Sequence, residues 1–159
     1  AVTELNFLSA AYTSRTAYTH LRDTQGSVIN ITSISARRPS PGTAVYGAAK
    51  AALESLTRSL ATEWAPNVRV NAVSCGLVAT EAGLEHYGSP EQYARVEATI
   101  PRGQLATPLE IGASCVMLAS PLSSHTTGAV LAVDGGGEWP AFLSNTPNSA
   151  VFSPHTEGK

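Results

Sequence analysis

The chain has 159 residues, 43% of them hydrophobic and 14% charged, a balance that excludes a disordered tail and fits one soluble domain with a core. Ten basic and twelve acidic residues leave a formal charge of -2, so no overall field draws the protein to nucleic acid or to an anionic membrane. Cys75 and Cys115 lie far apart with no CxxC spacing, which argues against a zinc cluster or a disulfide framework and fits a reducing cytoplasm.

Apolar residues at Val2, Leu5, Leu8 and Tyr12 predict a helix over residues 3 to 22, with Thr3 as its cap and Glu4 complementing its first turn. Because this pattern starts at once, with no initiator Met and no preceding strand, the chain is expected to begin inside a domain. After the punctuation Asp23-Thr24-Gln25-Gly26, the β-branched run Ser27 to Ser33 predicts a buried strand. Pro39, Pro41 and Gly42 break the chain before an Ala- and Leu-rich helix at 44 to 64, which Pro66 ends. A second strand is expected at Val68 to Val73 and a helix at roughly 90 to 99, joined by a long loop. Pro108 opens a further helix that Ser120-Pro121 closes, and Gly128 opens a last strand, Ala129 to Val133. Strands separated by helices at this spacing imply parallel βαβ units, hence an α/β layered sheet. Residues 140 to 159 turn to Ser, Asn, Thr and Pro and read as a polar tail, or as an arm that orders on a neighbouring subunit. No apolar run reaches the roughly 18 residues needed to span a bilayer, and no basic-then-apolar leader opens the chain, so solubility is expected.

Tyr46 and Lys50 stand four positions apart at the start of the long helix, on one face. A free tyrosine, with a pKa of about 10, is a poor base at neutral pH, but a nearby cation favours its phenolate. Ser33 falls at the end of a predicted strand, and the carboxyl ends of strands are where open α/β sheets bind ligands. Its hydroxyl could polarise a carbonyl or simply bond local backbone, the commoner fate of a serine beside a loop. Of His20, His86, His125 and His155, no two are spaced as metal ligands on one helix, so no metal is expected.

Four ordered motifs resemble the short-chain dehydrogenase/reductase family: Asn30-Ile31-Thr32-Ser33, Tyr46 to Lys50, Arg69 to Gly76, and Thr127-Gly128 with Val133-Asp134-Gly135-Gly136. The match runs from about Leu5 to Gly137 and covers the family's second half, the C-terminal half of a Rossmann-type doubly wound parallel sheet. Residues 1–139 are thus expected to be part of one such domain, with 140–159 the tail. The resemblance implies Tyr46 as general acid/base, Ser33 as holder of the substrate oxygen and Lys50 as ligand of the nicotinamide ribose. It also implies Asn6 as holder of a relay water, and Gly76, Val78 and Thr80 as further cofactor contacts. Where the family has Pro-Gly, this chain has Cys75-Gly76, which leaves the loop less restrained. Cys75 is either reactive or, more commonly for such a residue, a small buried filler. Residues 81 to 89 match the family's substrate lid, where Glu85, His86 and Tyr87 are candidate substrate contacts or plain loop residues.

The Gly-rich turn that carries a pyrophosphate, and the residue that reads the ribose, are not in this sequence, so NAD and NADP are equally open. The expected activity, of the intact protein, is ketone and secondary-alcohol interconversion on a small molecule, with a look of 3-oxoacyl-carrier-protein reductases. The alternative is a non-catalytic fragment or subunit with an assembly role. Ala and Leu spread around the long helix, from Ala48 to Leu60, ask for a second buried face, and the resemblance implies a homodimer or homotetramer.

Overall fold

Three strands form a parallel sheet in the order β1-β2-β3: β1 is Ser27–Ser33, β2 is Arg69–Cys75 and β3 is Val130–Val133. The computed structural model describes residues 1–81 and 87–145. Among the described residues, four α-helices accompany the strands: α1 (Ser9–Asp23), α2 (Ala44–Glu63), α3 (Pro90–Glu97) and α4 (Pro108–Ala119). The chain divides into two units, Ala1–Cys75 with Leu109–Val133, and Gly76–Pro108 with the chain from Asp134 on. All three strands belong to the first. Among the described residues, no helix is long and apolar enough to cross a membrane.

The α/β class holds, and each predicted helix and strand is present. β2 is central and buried along its length after Arg69, as its run of Val and Ala requires of a strand covered on both faces. In register, Ser33 pairs with Cys75 and Cys75 with Val133, so the three carboxyl ends finish level. α1 and α2 pack on each other and on β1. Between them, Ala61, Trp64, Val68 and Val70 form a core cluster flanked by Tyr18, Leu21, Val28 and Leu60. The Tyr18 and Trp64 rings meet at 4.7 Å between centroids.

Several boundaries move for local reasons. The expected helix over 3 to 22 opens instead as a π-helical turn, Glu4–Leu8, before α1, and Thr3 is itself helical and makes no side-chain cap. Gln25, at φ +51°, takes the left-handed position after α1, while Gly26 donates to Leu21 O at 2.8 Å, where a Cβ would lie 2.8 Å from the Leu21 side chain. Val68 stays outside β2 because its N–H is held by Trp64 O, and β2 continues to Cys75. β3 starts one residue late because the Ala129 N–H goes to the fully buried Asn71 side chain (3.0 Å), whose amide in turn donates to Thr126 O (2.8 Å).

Arg69 is more than a strand residue. Its guanidinium donates to the carbonyls of Leu118 (2.8 Å) and Ala119 (3.0 Å) in the last turn of α4, where helical partners run out, and also to those of Ser120 (3.4 Å) and Thr126 (3.3 Å) beyond it. Arg69→Ala should therefore lower the unfolding free energy by about 2 kcal/mol, from charge-assisted bonds that water replaces only in part. Urea titration checks this, and a loss below about 0.5 kcal/mol would mean that water satisfies those carbonyls as well.

Candidate active site

The first unit brings three of the expected site residues to the carboxyl end of its sheet. Ser33 ends β1 and is buried, and its Oγ accepts the Ser35 N–H at 3.2 Å as the cap of the short turn Ile34–Ala36. The local-turn bond expected of this serine is thus present. A lone pair is spent on Ser35, which leaves the hydroxyl proton to donate elsewhere.

α2 starts at Ala44, which puts half-buried Tyr46 in its first turn and Lys50 one turn later. Lys50 Nζ lies 5.6 Å from the centre of the Tyr46 ring and donates to Ile31 O, two residues before Ser33, at 2.9 Å. This bond ties α2 to β1 beside the serine. Gly47 permits the approach: a Cβ there would stand 2.7 Å from Ser35 O, so any larger residue would push the helix off the turn after Ser33. Burial pushes the Lys50 pKa below the ordinary lysine range, partly opposed by the nearby Cys75 sulfur.

Asn6 sits within the π-helical turn, a helix defect frequent at functional sites. The turn packs on α2, and the Asn6 amide donates back to Val2 O at 3.1 Å. Cys75 is 8% exposed, and burial, with Cys115 adding to it, raises its thiol pKa against the opposing pull of Lys50. A thiol kept protonated this way matches the buried filler rather than a nucleophile.

The remaining cofactor candidates lie in the second unit. Gly76 is required by packing, since a Cβ would fall 2.7 Å from Asp134 Cα. Val78 forms a parallel bridge with Ala106, carried by Ala79 N to Ala106 O (2.8 Å) and Ala106 N to Leu77 O (3.0 Å). That pattern puts the N–H and C=O of Val78 on the opposite edge of the segment, suited to an amide ligand. Thr80 is exposed two residues later. Tyr87 packs edge-on against Tyr93 of α3 at 6.1 Å, whereas Glu85 and His86 fall outside the described residues. Among the described residues, no group of three His, Cys, Asp or Glu side chains could hold a metal.

A buried polar web joins β1 to two residues of α2, Glu54 and Thr57, that the sequence motifs do not pick out. Asn30 donates to Thr57 (2.9 Å), and Thr32 faces Glu54 (3.4 Å). The available signal was Glu54 and Thr57 standing on the same helix stripe as Leu53 and Ala61, where apolar residues belong.

A family model described as enoyl-(acyl carrier protein) reductase matches residues 1–138. Galactitol 2-dehydrogenase (L-tagatose-forming) from Cereibacter sphaeroides is 44% identical over 115 residues, 70% of this chain and 45% of that protein. A solved short chain dehydrogenase/reductase family protein is 42% identical with a TM-score of 0.77, over 85% of this chain and 55% of that one. The structure of ElxO with NADP bound is 30% identical with a TM-score of 0.76, over 82% and 54%. The chain thus spans about half the length of the relatives it matches. With the parallel sheet, the level carboxyl ends and the Tyr46-Lys50 pair beside Ser33, the match places this chain in the short-chain dehydrogenase/reductase family.

Proposed function

We propose that the protein interconverts a ketone and a secondary alcohol by hydride transfer, with NAD or NADP as cofactor. The observation that carries this reading is Lys50, its ammonium 5.6 Å from the Tyr46 ring centre and bonded to the strand that ends in Ser33. In the reductive direction, the Ser33 hydroxyl donates a hydrogen bond to the substrate oxygen and Tyr46 Oη delivers the proton to it. Lys50 spends one of its three N–H donors on Ile31 O and keeps two, enough for the hydroxyls of a ribose. Within the second unit, the outward N–H and C=O of Val78 are the partners proposed for a carboxamide, with Gly76 and Thr80 as the neighbouring cofactor contacts in the chain. When bound, the nicotinamide supplies or accepts the hydride. Asn6 extends the proton path from Lys50 through a water.

Activity is assigned to the full-length protein, because the chain spans half of its relatives and contains no Gly-rich pyrophosphate turn. Residues 1–139 belong to one Rossmann-type domain and 140–159 to a tail. A homodimer or homotetramer in the cytoplasm completes the reading, supported by exposed Ala48 and half-buried Ala51, Ala52 and Leu56 along α2 and by two unpaired cysteines. The test is oxidation of NADPH or NADH by the full-length protein with acetoacetyl-CoA as a β-keto probe and galactitol with NAD or NADP in reverse. Turnover on either probe is expected; absence of nicotinamide binding, with no turnover of any ketone or alcohol tried, would favour the assembly role instead.

A further inference from the structure

We infer that Glu54 is a positioning residue for this reaction, which through Arg37 holds the turn after Ser33 and so keeps the serine hydroxyl aimed; this rests on the function proposed above. Glu54 lies in the middle of α2 with its side chain 6% exposed, an unusual place for a carboxylate. Its Oε2 accepts from Arg37 Nε at 3.2 Å, with Arg58 Nη1 at 3.7 Å, and its Oε1 faces the Thr32 hydroxyl at 3.4 Å. Thr32 directly precedes Ser33. Arg37 closes the turn Ile34–Ala36 with its own N–H on Ile34 O at 3.0 Å, and this is the turn whose Ser35 N–H bonds Ser33 Oγ. The carboxylate therefore grips the chain on both sides of the serine.

The neighbouring contacts give the same picture. Lys50, Glu54 and Thr57 follow one another along one face of α2, and they meet Ile31 O, Thr32 and Asn30. Three consecutive residues of β1 are thus each fastened to the helix that carries Tyr46. A buried ion pair adds little net stability compared with apolar side chains of similar volume. Its use here is geometric: it fixes the serine turn against the tyrosine helix, where a small misplacement is costly to rate.

Arg37 is about half exposed, so Arg37→Gln in the full-length protein should fold. Amide exchange at residues 34–38 is expected to accelerate about ten-fold, with 27–31 as in the parent, because only the anchor of the turn is lost. The kcat with acetoacetyl-CoA should fall about ten-fold at a nicotinamide KM unchanged within about a factor of two, and Arg37→Lys should restore most of it. Glu54→Gln should give the same pattern. In a Ser33→Ala background, Arg37→Gln should cost no further kcat, since the group it aims is gone. Losses that multiply, or unchanged exchange at 34–38, would overturn the inference and leave the proposed function standing. Full turnover by Ser33→Ala would overturn the inference and take Ser33 out of the reaction, while the proposed activity would stand; the exchange readout tests the anchor of the turn even if acetoacetyl-CoA is not turned over.

Discussion

Tyr46→Phe in the full-length protein should lower kcat by about a thousand-fold while leaving fold and nicotinamide binding in place. The ring of Tyr46 is half-buried in the first turn of α2, and phenylalanine preserves both its packing and the Lys50 ammonium 5.6 Å from its centre. What disappears is the one hydroxyl assigned to donate the proton. A loss of that size corresponds to about 4 kcal/mol of transition-state stabilisation, more than packing changes at a half-buried ring would supply. The Lys50 bond to Ile31 O and the Ser33 turn do not depend on the phenol, so cofactor affinity should stay within about two-fold. Steady-state kinetics together with equilibrium nicotinamide titration separate the two quantities. A variant that keeps more than about a tenth of the parent kcat would remove Tyr46 from the role of proton donor.

Elements with strong local signals were legible in the sequence, and those that depend on partners were not. β1 runs from Ser27 to Ser33 as its β-branched composition predicts, and α2 begins at Ala44 where Pro41 and Gly42 release the chain. The Tyr46-Lys50 spacing likewise becomes a spatial pair, since helical geometry alone puts i and i+4 on one face. By contrast, the π-helical turn around Asn6 is invisible in a pattern of apolar spacings, because a single wide turn leaves the surrounding period intact. The start of β3 is set by Asn71, 58 positions away in sequence, whose side chain takes the Ala129 N–H. The pairing of Glu54 with Arg37 depends on the fold in the same way: a carboxylate on an Ala-rich helix reads as a solvated group until the fold buries it against a loop arginine. Gly47 shows the same limit, since in sequence it is a weak helix former, whereas in the fold it is the gap through which α2 meets the turn after Ser33.

The second large effect is expected of Lys50→Met, and its signature is a displaced pH profile rather than a simple loss. On the function proposed above, Tyr46 accepts the proton in alcohol oxidation, and removing the cation beside its ring is expected to raise the pH at which the rate climbs. Methionine keeps the length and apolar stem of the side chain but removes the charge and the bond to Ile31 O. The rising limb should then move to higher pH, and kcat/KM near pH 8 should drop about a hundred-fold as ribose binding weakens too. Stability should respond in the opposite sense. Because burial lowers the Lys50 pKa, the folded state binds that proton less tightly than the unfolded chain does. The parent therefore gains stability as pH climbs from the lowered folded value toward the ordinary lysine range, and below that window it carries the full cost of a half-buried ammonium. Lys50→Met escapes this cost, so at neutral pH it should unfold at a denaturant midpoint no lower than the parent's, with the two curves converging at alkaline pH. Activity falling while stability holds would identify Lys50 as a functional group that the fold keeps at some expense. A lower midpoint with an unshifted pH profile would instead make its bond to Ile31 O structural and take it out of the reaction.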